Sequence, residues 1–256
     1  MAVDVTRDDA VATVTMNRPE ALNAFNSAQL RALLGAFREL RDDRLVRCVI
    51  LTGAGTKAFA AGADIKEMVD LEGQRAVAFA RLGHAVANAI EELPKPVIAA
   101  VNGFAIGGGS EVALACDIRL AADNAQFAQP EVSLGIPPGW GATQRLPRVV
   151  GPEIAAELIF TGRRIKADEA LRIGLVSAVY PADRLLPEAL RLATAIAANS
   201  PRAVTAAKQA MALSRAGNPS AGLDAEAALF AASFGSADQR EGMRAFLEKR
   251  RAVFES

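Results

Sequence analysis

The chain has 256 residues, 51% of them hydrophobic and 23% charged, enough to bury a sizeable core in one α/β domain or one domain with an appendage. Its 29 basic residues balance 29 acidic ones, so no net field gathers nucleic acid or an anionic membrane, and any anionic ligand needs a local site. Cys48 and Cys116 lack metal spacing, and the N-terminal "MAVDVTRDDA" has neither the layout of a secretion signal nor that of a transit peptide; a cytoplasmic protein with reduced, buried thiols is expected.

In chain order, "VATVTMN" (11–17) alternates as a strand does, and residues 26–41 set Leu30, Leu33, Leu34, Phe37 and Leu40 at helical spacing. "RCVILTG" (47–53) reads as a buried strand. The "GAGTKA" that follows it (53–58) fits a dinucleotide-binding fingerprint with Asp70 and Glu72 near the ribose-acid distance, but that fingerprint must open a helix. Here a second glycine-centred loop comes next, so a strand-ending turn is the better reading. Residues 66–93 read as helix with Pro94 as its stop, 96–103 as a buried strand and 109–116 as a short helix opened by glycines. Residues 96–110, the longest uncharged stretch, are too few and too glycine-rich to span a bilayer. Further strands are expected at 117–121, 126–129 and 176–179, with helices between. Beyond Pro187 the strand signals end, and helices are expected at 187–199, 201–215, 219–233 and 236–251, separated by "SP", "GNP" and "GSAD". The organisation is an α/β core over 1–190 that carries the site, and a helical region over 191–256 that packs on the core or on a partner subunit.

Several chemistries find no support. The single histidine, His84, lies inside a long helix without a nucleophile motif nearby and reads as a helix-surface residue. No phosphate-binding "GxxxxGK[ST]" loop and no His/Cys/Asp cluster of metal-ligand spacing occurs, so no metal is expected. What stands out is two misplaced acids. Glu111 opens an apolar helix after "GGGS", and Glu131 sits in "QPEVSLG", another stretch with few charges. A helix-dipole partner and a solvated turn would account for each alone; together with the glycine loops they mark a site.

The segments "AFAAGADIKEM" (58–68), "KPVIAAVNGFAIGGGSEVALACD" (95–117) and "FAQPEVSLGIPPGWGATQRLPRVVG" (127–151) closely resemble the crotonase superfamily, specifically the enoyl-CoA hydratases. The resemblance is nearly full-length, from "NRPEALNAFN" (17–26) through "LTGRRIKADEALRIGLVSAVYP" (160–181) to "REGMRAFLEKR" (240–250). It implies an α/β fold, a crotonase-like spiral of ββα units with a C-terminal helical trimerisation region, assembled as a homotrimer or a homohexamer of two trimers. It implies hydration of a trans-2-enoyl-CoA to the 3-hydroxyacyl-CoA, with no cofactor beyond the coenzyme A of the substrate itself. Relatives of the same superfamily isomerise double bonds or hydrate branched dicarboxylic acyl-CoA, and a non-catalytic acyl-CoA-binding protein is the distant alternative.

By the same resemblance, the N–H groups of Ala63 and Gly108 bind the thioester oxygen, while Glu111 orients and deprotonates a water and Glu131 handles the proton at C2. Isomerases often keep one of these acids, so the presence of both favours hydration. Ala61, Ala63, Asp64, Ile65 and Lys66 match the loop around the adenine and pantetheine, and Phe246 and Lys249 match tail residues that approach the nucleotide of a neighbouring subunit. Gly139 is retained, but Trp140 stands where a small residue is usual, Ala142 where a glycine is, and Ser133 where an aliphatic residue is. Trp140 either walls the acyl pocket or packs outward.

Overall fold

A computed structural model of the chain describes residues 2–214 and 219–254. β1 (Val3–Asp8) turns through Asp9, at φ +50°, into β2 (Val11–Met16), its antiparallel partner. Most of β1 faces solvent, which is why it leaves no apolar signature in the sequence. A helical turn at Pro19–Ala21 leads to α1 (Ser27–Asp42). Its first turn is capped by Asn26, which accepts the Gln29 N–H at 2.8 Å, and its inner face buries Leu30, Leu33, Phe37 and Leu40.

Then come β3 (Cys48–Gly53), β4 (Ala58–Ala60), α2 (Ile65–Met68) and α3 (Gly73–Glu91); the single helix expected over 66–93 is two, broken before Gly73 at φ +46°. β5 (Val97–Val101), β6 (Phe104–Ile106) and α4 (Gly108–Ala115) precede β7 (Ile118–Ala122) and β8 (Gln126–Ala128). A 3₁₀ turn (Glu131–Leu134), α5 (Ala142–Val150), α6 (Pro152–Thr161), β9 (Ile165–Lys166), α7 (Ala167–Arg172) and β10 (Ala178–Tyr180) complete the core. The C-terminal quarter is α8 (Leu185–Ala197), α9 (Pro201–Leu213), α10 (Pro219–Ser233) and α11 (Ala237–Leu247). Residue 215, the expected end of the helix from 201, and most of the "GNP" break after it lie outside the described residues.

The strands form a six-stranded sheet in the order β1-β2-β3-β5-β7-β10 and a four-stranded sheet in the order β4-β6-β8-β9. Only β1–β2 and β8–β9 are antiparallel. Each consecutive pair β3/β4, β5/β6 and β7/β8 crosses from the first sheet to the second before a helix follows, which is the repeating ββα spiral. The large sheet is covered on both faces. Along β3, Val49 and Leu51 join the main core under α1 and α3, while Cys48 and Ile50 face α8 through Leu185, Ala189 and Ala193. A strand buried on both sides has no polar face, hence the unbroken apolar runs at β3 and β5. α8 is continuous through residue 190 and packs on this sheet, so its apolar stripe belongs to the core. The "GAGTKA" segment ends β3 in a turn and enters β4 rather than a helix. In that turn Asn102 donates to the carbonyls of Gly53 and Gly55, both at 2.8 Å.

Candidate active site

Strand β6 feeds α4 through Gly107, at φ +52° and ψ −123°, a conformation open to glycine and costly for other residues. All eight residues of α4 are buried, Glu111 among them at 2% exposure. A carboxylate so placed needs donors. It has them: Glu111 Oε1 accepts the peptide N–H groups of Trp140 at 2.8 Å and Ala142 at 2.9 Å. Burial raises the pKa of Glu111, opposed first by the Ala142 and Trp140 N–H groups and then by the Arg145 charge. The alanine at 142 therefore does not interrupt the site, because its contribution is a backbone donor.

Glu131 opens the 3₁₀ turn after β8 and Pro130 and is 9% exposed. Its Oε2 is buried with no hydrogen-bond partner, and burial, with a smaller push from the charge of Glu111, moves its pKa up to about 7. Gly107 is what lets the two acids share one space: a Cβ there would stand 2.8 Å from Glu131 Oε1, while the Gly107 carbonyl accepts the Glu111 N–H at 2.9 Å. The two carboxyl groups thus differ in setting, one held by two donors and the other left with a free oxygen.

Ala63 is positioned by an isolated parallel bridge to Phe25. The Phe25 N–H donates to the Gly62 carbonyl and the Asp64 N–H to the Phe25 carbonyl, both at 2.8 Å. Because backbone groups alternate in direction along an extended strand, the Ala63 N–H faces away from Phe25. Gly108 is the first residue of α4, where peptide N–H groups have no partner within the helix. Among the hydrogen bonds of the described residues neither N–H has an acceptor. Ala63, Gly108, Glu111 and Glu131 all line one largely apolar cavity of about 460 Å³.

Of the other expected site residues, Ala61, Ile65, Gly139 and Trp140 line the same cavity. Asp64 pairs with Arg18 at 3.2 Å and caps α2 by accepting the Lys66 N–H, which fixes the loop; Lys66 is exposed. Phe246, 81% exposed, and Lys249 lie at the end of α11 and beyond it, away from the cavity lining. Ser133 is exposed and donates to the Pro130 carbonyl at 2.7 Å. His84 is on the exposed face of α3, and the buried Cys48 and Cys116 thiols have pKa values pushed up to about 12 by desolvation. No metal-binding cluster occurs among the described residues.

Trp140 packs inward, at 4% exposure, with its ring centroid 5.7 Å from that of Phe25 and 5.5 Å from that of Phe79. The indole lies in a slot between Gly83 of α3 and Gly108 of α4, and a Cβ on either glycine would overlap it. Gly83, Gly107 and Arg145 are contributors that the sequence reading did not single out. For Gly83 a signal existed: a glycine in the middle of an amphipathic helix costs about 1 kcal/mol and calls for a packing reason.

The family profile described as Enoyl-CoA hydratase/isomerase matches residues 6–256. A short-chain-enoyl-CoA hydratase of Clostridium acetobutylicum is 49% identical over 96% of this chain and 94% of its own length. A crotonyl-CoA hydratase of Syntrophomonas wolfei is 47% identical over 97% and 95%. The crystal structure of an enoyl-CoA hydratase from Bacillus anthracis superposes with a TM-score of 0.97 at 40% identity, covering 99% of each chain.

Proposed function

The chain belongs to the enoyl-CoA hydratase/isomerase family, and from its site we propose that it hydrates the trans-2 double bond of an enoyl-CoA thioester to give the 3-hydroxyacyl-CoA. The observation that carries this reading is the convergence of Glu111, Glu131 and the unpaired N–H groups of Ala63 and Gly108 on one apolar cavity. The thioester oxygen accepts both N–H groups, which bind it more strongly as negative charge develops on it; each such donor is worth roughly 10²- to 10³-fold in rate. Glu111, held by two donors, takes a proton from water as the hydroxide adds to C3. Glu131, whose pKa of about 7 keeps a proton available near neutrality, delivers it to C2. The sum is one water added, and the proton on Glu111 returns to Glu131 between turnovers. No electrons are gained or lost, so these groups suffice and we assign no metal or redox cofactor.

The loop of Ala61, Ala63, Asp64, Ile65 and Lys66 is assigned to coenzyme A, with Phe246 and Lys249 approaching the nucleotide of a neighbouring subunit. A homotrimer, or a pair of trimers, is supported by exposed apolar side chains on the C-terminal helices: Met211, Leu223, Phe230, Phe246 and Leu247. No helix among the described residues is long and apolar enough to cross a membrane, and with balanced charge and unpaired cysteines we place the enzyme in the cytoplasm.

Loss of the ultraviolet absorbance of crotonyl-CoA tests the reaction, and exchange of the C2 protons of a saturated acyl-CoA in D₂O separates the acids. Exchange needs a base at C2 and the oxyanion donors but no attacking water. Glu131→Gln is expected to nearly eliminate it, and Glu111→Gln to damage it less than it damages hydration. Both variants should lose hydration severely. A Glu131→Gln protein that exchanges at the unmodified rate would overturn the division of roles.

A further inference from the structure

Arg145 lies in the first turn of α5, outside the cavity, yet its guanidinium ties α3 to the loop that holds Glu111. Nε and NH2 donate to Glu91 Oε2 at 3.1 and 2.6 Å, NH2 also to Asn88 Oδ1 at 3.0 Å, and NH1 to the Trp140 carbonyl at 3.1 Å. Glu91 and Asn88 belong to α3, so the fork is anchored on that helix and grips the loop that leads into α5. Gly141, at φ +115°, is the residue that permits it, since a Cβ there would overlap the guanidinium. The gripped carbonyl belongs to the peptide linking Trp140 to Gly141. The two N–H groups that hold Glu111 Oε1 belong to the peptides on either side of it. Pinning the middle peptide therefore sets the direction of both donors.

We propose that Arg145 is the positioning residue for Glu111: it fixes, through the Trp140 carbonyl, the two peptide donors that orient the carboxylate. This rests on the hydratase reading insofar as Glu111 is the base. A planar, five-donor guanidinium can satisfy α3 and the loop at once, as a lysine ammonium cannot. The charge acts in the same direction as the grip, because Arg145 lowers the Glu111 pKa that burial raises. The charged groups around Glu111 are few. Glu131 faces it from the 3₁₀ turn and Arg145 from α5, Glu91 is paired with Arg145, and Arg75, Arg81, His84 and Arg148 lie on exposed helix faces. β4 and β6 contribute none.

The test is Arg145→Gln and Arg145→Lys, each with kcat and KM for crotonyl-CoA across pH and a ¹³C NMR titration of labelled glutamate carboxyls, the Glu111 signal assigned by its loss in Glu111→Gln. For Arg145→Gln, kcat is expected to fall on the order of 10- to 100-fold, the loss typical of a catalytic group misplaced by about 1 Å. KM should stay within about threefold, and both the acid limb of kcat and the Glu111 titration should move to higher pH. Arg145→Lys, which keeps the charge but not the fork, should fall between, and it carries the test if the glutamine variant does not fold. A merely structural residue would lower kcat evenly at all pH values. Folded variants whose Glu111 titrates as in the unmodified protein overturn the proposal, whatever their rate. Because the titration is read without turnover, a shift seen in a protein that does not hydrate crotonyl-CoA would sink the hydratase reading and leave the positioning intact.

Discussion

At the scale of single residues, Trp140 and Gly83 form a matched pair. The indole brings roughly 200 Å² of surface, and it fits only because α3 lacks a side chain at the point of contact. It lines the cavity beside Gly108 and Glu111, with Phe79, so it bounds the space left for an acyl chain beyond the reacting carbons. Trp140→Ala is expected to raise kcat/KM for longer enoyl thioesters relative to crotonyl-CoA by about tenfold or more, since each methylene accommodated in an apolar pocket is worth roughly 1–3 kcal/mol. An unchanged ratio would put the acyl path elsewhere. Gly83→Ala tests the other half. In an open helix the change should stabilise by about 1 kcal/mol, but here the methyl meets the ring, and destabilisation by about 1–3 kcal/mol is expected from overpacking. In Trp140→Ala the same substitution should become neutral or stabilising. Denaturant midpoints of the four proteins give the coupling, and simple additivity would show that the slot is not tight.

At the scale of elements, the site joins the end of one short strand to the start of one short helix. The bridge between Phe25 and Ala63 aims one N–H, and the first turn of α4 supplies the other. Ala63→Pro removes the donor without breaking any hydrogen bond that the Ala63 N–H makes among the described residues, so turnover should fall by at least 10²-fold in a folded protein. Ala63→Ser keeps the N–H and should cost much less; equal losses in folded variants would argue against the backbone role. The sequence made α1 legible by its helical apolar spacing, β3 and β5 by unbroken apolar runs, α4 by the glycines that open it, and α8–α11 by the proline and glycine breaks between them. β4, β6 and β9 are two or three residues long and display no such signal, and β1 faces solvent. Glu111 was visible as a charge in an apolar run, and its role came from the resemblance to a known family. Its donors were hidden, because they are backbone groups 29 and 31 residues away. The Arg145 grip was hidden for the same reason, since it depends on how α3 and α5 meet.

At the scale of the whole molecule, the fold keeps two carboxyl groups out of water and bears the cost in its global stability. The C-terminal helices are secured by polar ties to the core, Lys208 to Asp117 at 2.7 Å and Thr205 to the Pro94 carbonyl at 2.6 Å, while α8 seals the outer face of the large sheet. At the site, burial of Glu131 in its apolar cavity raises its pKa from 4.5 to about 7. An acid whose pKa is higher in the folded state binds more protons folded than unfolded, so its contribution to stability is greatest below pH 4.5. That contribution declines as pH rises and is gone above about pH 7. The full span is about 3 kcal/mol at 1.36 kcal/mol per unit. Glu131→Gln has no such proton to lose. Its cost of burying an amide is the same at every pH, so the melting temperature of the variant relative to the unmodified protein should climb between pH 5 and pH 8. At roughly 2–4 °C per kcal/mol for a chain of this size, the climb should be several degrees. Scanning calorimetry of both proteins at matched concentration reads it directly. The same variant should be nearly inactive in C2 exchange, so stability gained at pH 8 and catalysis lost would trace to one carboxyl oxygen. A difference in melting temperature that stays flat with pH would mean that Glu131 is solvated in the folded protein, and the acid that serves C2 would then lack the raised pKa proposed for it.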